Sequence, residues 1–470
     1  MQIPSHSLFK FLVLATVLSV VSACHDGSSR RSGTADGAGL PQVDPPEPVN
    51  DFGLTLVEVE HINDRLLEIT FETAALSAPT AVRILLPTDY EISDRRYPVI
   101  YLLHGAADDY RSWTDKGEAR EATEGLPVIV VMPDAGFTGF YSDWHNAGAG
   151  GPPEWERYHI GQLMPWIDSH FRTIPERRGR AAMGLSMGGF GTFSYAARHP
   201  DLFVAAASFS GALDTNVGML GEGIVNQETA TPAALWGHRV TDEVRWRARN
   251  PWDLATNLQG LQLTLRTGNG QPGGPYDNGI SDPVELLVWV MSTNMHNRLV
   301  ELGMPHIWDD YGPGGHTWPY WQRELRKTLP DLMSTFDNPP EPPSPFSFTA
   351  VEPTYSVYGW TVAMDRSVLE FSRLEGANMN GFHLTGSGAA IVTTAAYYLP
   401  GAAYSATLTG PFEGNTLALV ADPNGRLSIP LTLGPDNPYQ QYTAQTRIEG
   451  TQEFTTYVTI KRADNPLGTD

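Results

Sequence analysis

The chain of 470 residues carries 31 basic against 53 acidic side chains, and its formal charge of -22 would repel phosphate backbones and anionic lipid surfaces, which argues against nucleic acid as a partner. A hydrophobic content of 41% is that of a globular protein, and the length allows two or three domains. The single cysteine excludes an intrachain disulfide and a cysteine-rich metal site.

That cysteine follows a short export-type leader. Lys10 precedes the apolar run Phe11 to Val21, too short to span a bilayer as a helix but suited to the core of a signal peptide. Val21-Ser22-Ala23-Cys24 resembles the bacterial lipobox, so residues 1–23 are expected to be cleaved and Cys24 to be lipidated. Membrane contact is then expected only through that anchor, at the periplasmic or cell-surface side. His25 in place of an aspartate leans toward the outer membrane where a host has two. Residues 24–51 hold few large apolar side chains and read as a flexible tether.

From residue 52 the pattern changes. Leu54 to Phe71 and Ala81 to Leu86 alternate like half-buried strands. Tyr97 to Leu103 and Leu126 to Met132 are the continuous apolar runs of strands buried on both faces. Helical-length segments follow at Trp155 to Phe171, Gly189 to His199, Pro283 to Leu302 and Trp318 to Leu332. Alternation of this kind predicts an α/β domain over 52–337, a doubly wound, mostly parallel sheet with helices on both faces. The Pro-rich stretch 338–345 is a stiff spacer. Beyond it, 346–470 lacks a long helical period and predicts an all-β, sandwich-like accessory domain. Within it, Asn415 to Val420 and Arg426 to Leu433, joined by the turn Asp422-Pro-Asn-Gly425, predict a hairpin.

Chemistry concentrates at Gly184-Leu185-Ser186-Met187-Gly188, a G-x-S-x-G pattern at the end of a short apolar strand. This spacing puts a serine on a sharp strand-to-helix turn, where a side chain two residues away on either side would strike the backbone. Ser186 is the candidate nucleophile, and the Met187 amide at the helix start is a candidate oxyanion donor. A serine hydroxyl needs a base that is itself oriented by an acid. Of the downstream histidines, His199 and His296 fall inside helices and His306 at a strand start. His316 lies on the Gly-rich loop Tyr311-Gly-Pro-Gly-Gly-His316, between a strand and a helix, and is the candidate base. Glu285, Asp282 and Asp277 are the candidate acids, and each could equally be a charge offsetting the dipole of the Pro283 helix. Gly105 ends an earlier strand and makes the Ala106 amide the second oxyanion candidate. Trp318, Tyr320 and Trp321 could line an acyl or aromatic pocket or be core.

Met132-Pro133, Phe140-Tyr-Ser-Asp-Trp144, the serine motif, Gly268-Asn-Gly270, Ser292-Thr-Asn294 and His316-Thr-Trp-Pro-Tyr-Trp321 together resemble the esterase D and antigen 85 mycolyltransferase family of α/β-hydrolases. The resemblance implies acyl-ester chemistry with a Ser-acid-His triad, no metal and no cofactor. It maps onto Ser186, His316, Met187 and Ala106, with Glu285 assigned as the acid by proximity, since Leu287 stands near the family's own position. Mycolyltransferases carry an acidic residue and an arginine around the first-loop glycine; here those positions hold His104 and Ala107. The expectation is a serine carboxylic ester hydrolase acting on a small-molecule, lipid or polymer ester. An acyltransferase and a non-catalytic surface binding protein are the alternatives.

Overall fold

The computed structural model describes residues 50–217, 233–276 and 278–463. Cys24 and the rest of the leader and tether up to residue 49 lie outside the described residues, as does Asp277.

The first sheet is built from β1 (Asn50–Asp51), β2 (Leu54–His61), β3 (Leu66–Thr73), β4 (Thr80–Leu85), β5 (Val99–Leu103), β6 (Ile129–Pro133), β7 (Arg180–Leu185), β8 (Ala205–Phe209), β9 (Gln262–Thr267) and β10 (Ile307–Asp310). Their order is β1-β2-β3-β4-β6-β5-β7-β8-β9-β10. Pairings from β1 through β4 to β6 are antiparallel, and those from β6 to β10 are parallel. The sheet thus starts at Asn50, inside the stretch expected to be tether.

Sequence explains the split. β5 and β6 are apolar along their length, β7 and β8 are so apart from Arg180 and Ser208, and all four are buried at every position, as parallel strands covered on both faces must be. β4, expected to be half-buried, is buried throughout, because the sheet's second face is covered there as well. The helices are α1 (Ser112–Asp115), α2 (Ala119–Ala122), α3 (Met164–His170), α4 (Met187–Arg198), α5 (Glu243–Arg247), α6 (Pro283–Glu301) and α7 (Trp318–Asp337). A π-helical stretch, Arg157–Leu163, leads into α3, so the expected Trp155 to Phe171 helix is two geometries end to end. α4 through Phe190 and Phe193 covers one face of the sheet, and α7 through Trp321, Leu325 and Leu329 covers the other. This is the α/β-hydrolase arrangement.

The C-terminal strands are β11 (Phe346–Ala350), β12 (Thr354–Val357), β13 (Trp360–Asp365), β14 (Ser372–Asn378), β15 (Gly381–Gly386), β16 (Gly388–Thr393), β17 (Ala403–Thr409), β18 (Thr416–Val420), β19 (Ser428–Gly434) and β20 (Phe454–Arg462), with one short helix, α8 (Ala444–Glu449). They form a six-stranded sheet, β11-β14-β15-β20-β17-β18, and a four-stranded sheet, β12-β13-β16-β19. Trp360, Leu384, Ile429 and Leu433 fill the space between them.

The expected hairpin is not formed: β18 pairs with β17 and β19 with β16, in different sheets. The Asp422 turn exists, with the Gly425 amide donating to the Asp422 carbonyl, but its outer side is bonded to Tyr398. A turn's composition sets a chain reversal and not the partner of each arm. β19 buries Ile429, Leu431 and Leu433 on one face, and that stripe is satisfied only across from β16 in the inter-sheet core.

The β-rich part is fastened to the α/β part by partly buried polar contacts. Arg198 at the end of α4 pairs with Glu352 at 2.8 Å, and Arg249 reaches the same carboxylate at 3.1 Å. Asn257 exchanges hydrogen bonds with the Thr349 backbone at 2.8 and 2.9 Å. These two guanidinium groups hold the Glu352 carboxyl at a pKa of about 2, against the upward push of its own burial, which is the largest single influence on it.

Candidate active site

Ser186 caps α4 with φ 53° and ψ -116°, a strained conformation for a residue with a side chain. Two glycines make the turn possible. A Cβ on Gly184 would lie 2.5 Å from the Gly188 carbonyl carbon, and one on Gly188 would lie 2.4 Å from the Leu103 carbonyl oxygen. The Ser186 amide donates to the Phe209 carbonyl at 2.9 Å, which pins the elbow to the end of β8.

His316 reaches the serine from the opposite side. The Ser186 Oγ–H donates to His316 Nε2 at 2.8 Å, and His316 Nδ1–H donates to Glu285 Oε2 at 2.7 Å. Glu285 is wholly buried in the first turn of α6. Its Oε1 accepts from the Gly268 amide at 2.7 Å, Ser210 Oγ at 2.8 Å and Thr267 Oγ1 at 3.3 Å. Those donors satisfy a carboxylate that burial alone would penalise.

Asp282 has a different task. One oxygen accepts the Val284 and Glu285 amides at 3.0 and 3.1 Å, the N-cap bonds of α6. The other accepts the His316 backbone amide at 2.7 Å. Asp282 therefore ties the helix that carries the acid to the loop that carries the imidazole, without touching the ring. Glu285 and Asp282 are one helical turn apart and were indistinguishable by spacing; the fold gives one the imidazole and the other the backbone.

Burial works against protonation of His316, but the hydrogen bond and charge of Glu285, with Asp282 behind it, outweigh it and raise the imidazole pKa above its ordinary value. A base must be neutral to accept a proton, so kcat/KM for an ester is expected to fall as pH drops through this raised pKa. Glu285→Gln removes the larger compensating influence, so the acid limb should move to lower pH while kcat falls roughly 10^3- to 10^4-fold. Asp282→Asn, which leaves the ring's partner in place, should cost far less and shift the limb less. Equal losses and unshifted limbs in the two pH-rate profiles would contradict this division of roles.

The two candidate oxyanion donors are the amides of Met187 and Ala106. Met187 is the first residue of α4, where the N–H has no carbonyl one turn back to bond. The Ala106 amide has no hydrogen-bond acceptor among the described residues, whereas the next two, of Ala107 and Asp108, donate to Phe137 and Gly105. Gly105 lets this loop approach the elbow: a Cβ there would meet Leu185 Cδ1 at 2.5 Å.

His104 is a structural residue. Its Nδ1 donates to the Gly105 carbonyl at 2.7 Å and its Nε2 accepts the Ala135 amide at 2.9 Å, while Tyr141 OH donates to its carbonyl. Ala107 is exposed at φ 64° and supplies no cationic side chain next to the first-loop glycine. Trp318 is half-buried, edge-on to Trp113 at 5.2 Å and Trp321 at 5.4 Å. Tyr320 and Trp321 are core, and Trp321 meets the His316 ring edge-on at 4.9 Å. The other downstream histidines are engaged elsewhere, His199 with Glu156 and His296 with His306, both at 2.8 Å. Ser210 and Thr267 were not anticipated; nothing in their local sequence marks them, since they reach Glu285 only after β8 and β9 pair.

The curated protein Esterase Rv1288 of Mycobacterium tuberculosis is 35% identical over 276 residues, 56% of this chain, and the match spans 58% of that protein, somewhat over half its length. The diacylglycerol acyltransferase/mycolyltransferase Ag85B of Mycolicibacterium smegmatis is 30% identical over 248 residues, covering 50% of this chain and 76% of that protein. Among solved structures, Mycobacterium tuberculosis MPT51 aligns at 22% identity with a TM-score of 0.48, covering 60% of this chain and 99% of that one. Residues 73–332 match the Esterase family model, more than half of the sequence, and the chain belongs to that family.

Proposed function

We propose that the chain is a serine carboxylic ester hydrolase working through an acyl-enzyme. The observation that carries this reading is the unbroken relay from Ser186 Oγ through both His316 nitrogens to a buried Glu285 carboxylate. In it, Ser186 Oγ attacks the acyl carbon as His316 Nε2 takes its proton, and Glu285 stabilises the imidazolium. The tetrahedral oxyanion accepts the Met187 and Ala106 amides. Its collapse breaks the bond to the alcohol, which leaves with the proton from His316. Water then attacks the acyl-enzyme, gives its proton to His316, and the acid is released with Ser186 restored.

Transfer differs only in what attacks the acyl-enzyme, and the relatives include both an esterase and an acyltransferase by name. Hydrolysis is favoured here because Ala107, exposed beside the first-loop glycine, offers no side chain to hold a sugar acceptor against competing water. The test is turnover of p-nitrophenyl esters from acetate to long chains, with and without trehalose or glycerol. Free acid as the main product in every case supports hydrolysis. Dominant formation of the acceptor's ester would replace it with acyl transfer.

Export and anchoring belong to the same proposal: Cys24 carries the lipid, and the enzyme works at a membrane surface. No helix among the described residues is long and apolar enough to cross a membrane. Palmitate labelling of the expressed full chain should be lost in Cys24→Ala; labelling that persists would refute the anchor.

A further inference from the structure

A cavity of about 400 Å³ lies between the α/β part and the β-rich part, away from the serine. Its apolar wall is Trp144, Leu235, Trp236, Val351 and Leu369, and its charged lining is Asp143, Arg245, Arg249 and Glu352, with His145 beside them. The volume falls within the range of pockets that enclose small organic molecules.

The charges are not equivalent. Glu352 is already held by Arg198 and Arg249, and Asp143 accepts the Arg157 amide at 3.0 Å. The guanidinium of Arg245, on the short helix α5, has no hydrogen bond or ion pair among the described residues, and its Nε is buried without a partner. Burial lowers its pKa, and Asp242 is the carboxylate that acts against that effect. On the same side His145 is pushed down, first by burial and then by the Arg245 charge. Half-buried guanidinium groups are ordinarily paired, because desolvating one without an acceptor is costly. An unpaired one at the end of an apolar cavity matches a ligand with an anionic head and an apolar body.

We propose that this cavity is a binding site for an apolar monocarboxylate, with the carboxylate on Arg245 and the hydrocarbon body against Trp144, Leu369 and the edge of Trp236. A guanidinium donates two parallel N–H bonds to a carboxylate as a planar fork, which a phosphate can also accept but an alcohol cannot. The apolar wall then separates a carboxylate with a long tail from a bare anion. The site is distinct from the triad. α4 runs from Met187 beside the nucleophile to Arg198 at the cavity's Glu352, roughly 16 Å at helical rise. Trp236 packs on Phe190 at 5.4 Å, one turn beyond Ser186, so occupancy of the cavity bears on the helix that carries the elbow. An apolar acid is also the class of compound that hydrolysis of an ester with a long acyl chain releases, which would make this a product-sensing site. The binding itself does not depend on that activity.

Calorimetric titration of the full chain with octanoate tests the proposal, alongside acetate, octanol and inorganic phosphate. The protein is titrated before and after Ser186 is blocked by an alkylphosphonate. Octanoate should bind in both states, and the other three at least about tenfold more weakly. Arg245→Gln should weaken octanoate by about tenfold or more, with Arg245→Lys in between. Matching thermal midpoints for the variants confirm that they fold. Octanoate binding that vanishes on blocking Ser186 and ignores Arg245→Gln would place the acid in the active site alone and overturn the proposal. Phosphate binding as tight as octanoate would do so as well, by reducing the site to an anion hole. If Ser186 resists the phosphonate, the esterase reading fails by itself, and the Arg245 variants still decide the cavity.

Discussion

Ser186→Ala is expected to lower kcat on any ester substrate by roughly 10^4- to 10^6-fold while leaving the thermal midpoint close to that of the parent. The expected loss is large because the proposed mechanism makes Ser186 Oγ the bond-forming atom, and without it the proton relay of His316 has no nucleophile to activate. His316→Ala should lose about as much, and the double variant should lose little more than either alone, since the two side chains act as one unit. Stability is a separate matter: removing a hydroxyl whose partner, His316, keeps its bond to Glu285 strands no buried charge. The substitution also leaves the elbow backbone intact, because alanine retains a Cβ at the same strained φ. Steady-state kinetics and a melting curve on the same preparations check both halves. A Ser186→Ala protein that keeps more than about a tenth of the parent kcat would remove the serine from the chemistry.

The second large effect is at Gly188, which carries no reactive group. In a helix interior alanine is favoured over glycine by about 1 kcal/mol, so propensity alone predicts a more stable protein. Sterics decide otherwise. The new methyl would lie 2.4 Å from the Leu103 carbonyl oxygen and 2.6 Å from that of His104, both main-chain atoms that no rotamer change can move aside. Either α4 or the end of β5 must retreat. We expect Gly188→Ala to cost about 3 kcal/mol of stability, the clash outweighing the propensity gain. The catalytic cost follows from geometry. Gly105 and Ala106 continue directly from Leu103 and His104, so retreat of β5 displaces the Ala106 amide from the oxyanion while Met187 stays with the helix. A shift of about 1 Å between the two donors is worth roughly 10^2-fold in kcat. The check is a kcat measured well below the variant's melting point, with KM for a small ester little changed. A stabilised variant with parental kcat would show that the two elements do not meet as described.

The elbow and the histidine loop were legible in the sequence because local rules create them. G-x-S-x-G needs only a strand before it and a helix after it, and Gly314 next to His316 answers to equally local crowding by Tyr311 and Tyr320. Both signatures are readable within a few residues, although the contacts that hold them come from Leu103, Phe209 and Asp282 farther along the chain. The acid was only narrowed to three candidates, because its identity depends on which carboxylate meets the imidazole after β9, α6 and β10 have assembled. An aspartate directly before Pro283, with a glutamate three residues on, is a local capping signal for Asp282, but a full capping box would bond the glutamate back to the Asp282 amide; here that amide donates to the Gly270 carbonyl, which leaves Glu285 for the imidazole. Ser210 and the Gly268 amide, which hold Glu285, come from two other strands and leave no local trace.

The same distinction runs through the fold. Parallel strands were recognised by continuous apolar runs, and their order then follows from the crossover helices. The partners of β18 and β19 were misjudged because turn chemistry at Asp422 says that the chain reverses and says nothing about which sheet receives each arm. The Arg198–Glu352–Arg249 contact between the two parts of the chain is of this second kind as well. Each of its members reads in the sequence as a surface charge, and only packing across 103 or more residues turns them into a partly buried set.

The central claim is that Ser186 is made nucleophilic by His316. It is tested most directly by treating the full chain with a p-nitrophenyl alkylphosphonate and mapping the modified peptide by mass spectrometry while esterase activity is followed. The account predicts a single adduct on Ser186, loss of activity in step with its formation, and no adduct in His316→Ala. An adduct on another residue, or full activity after Ser186 is completely modified, would contradict it.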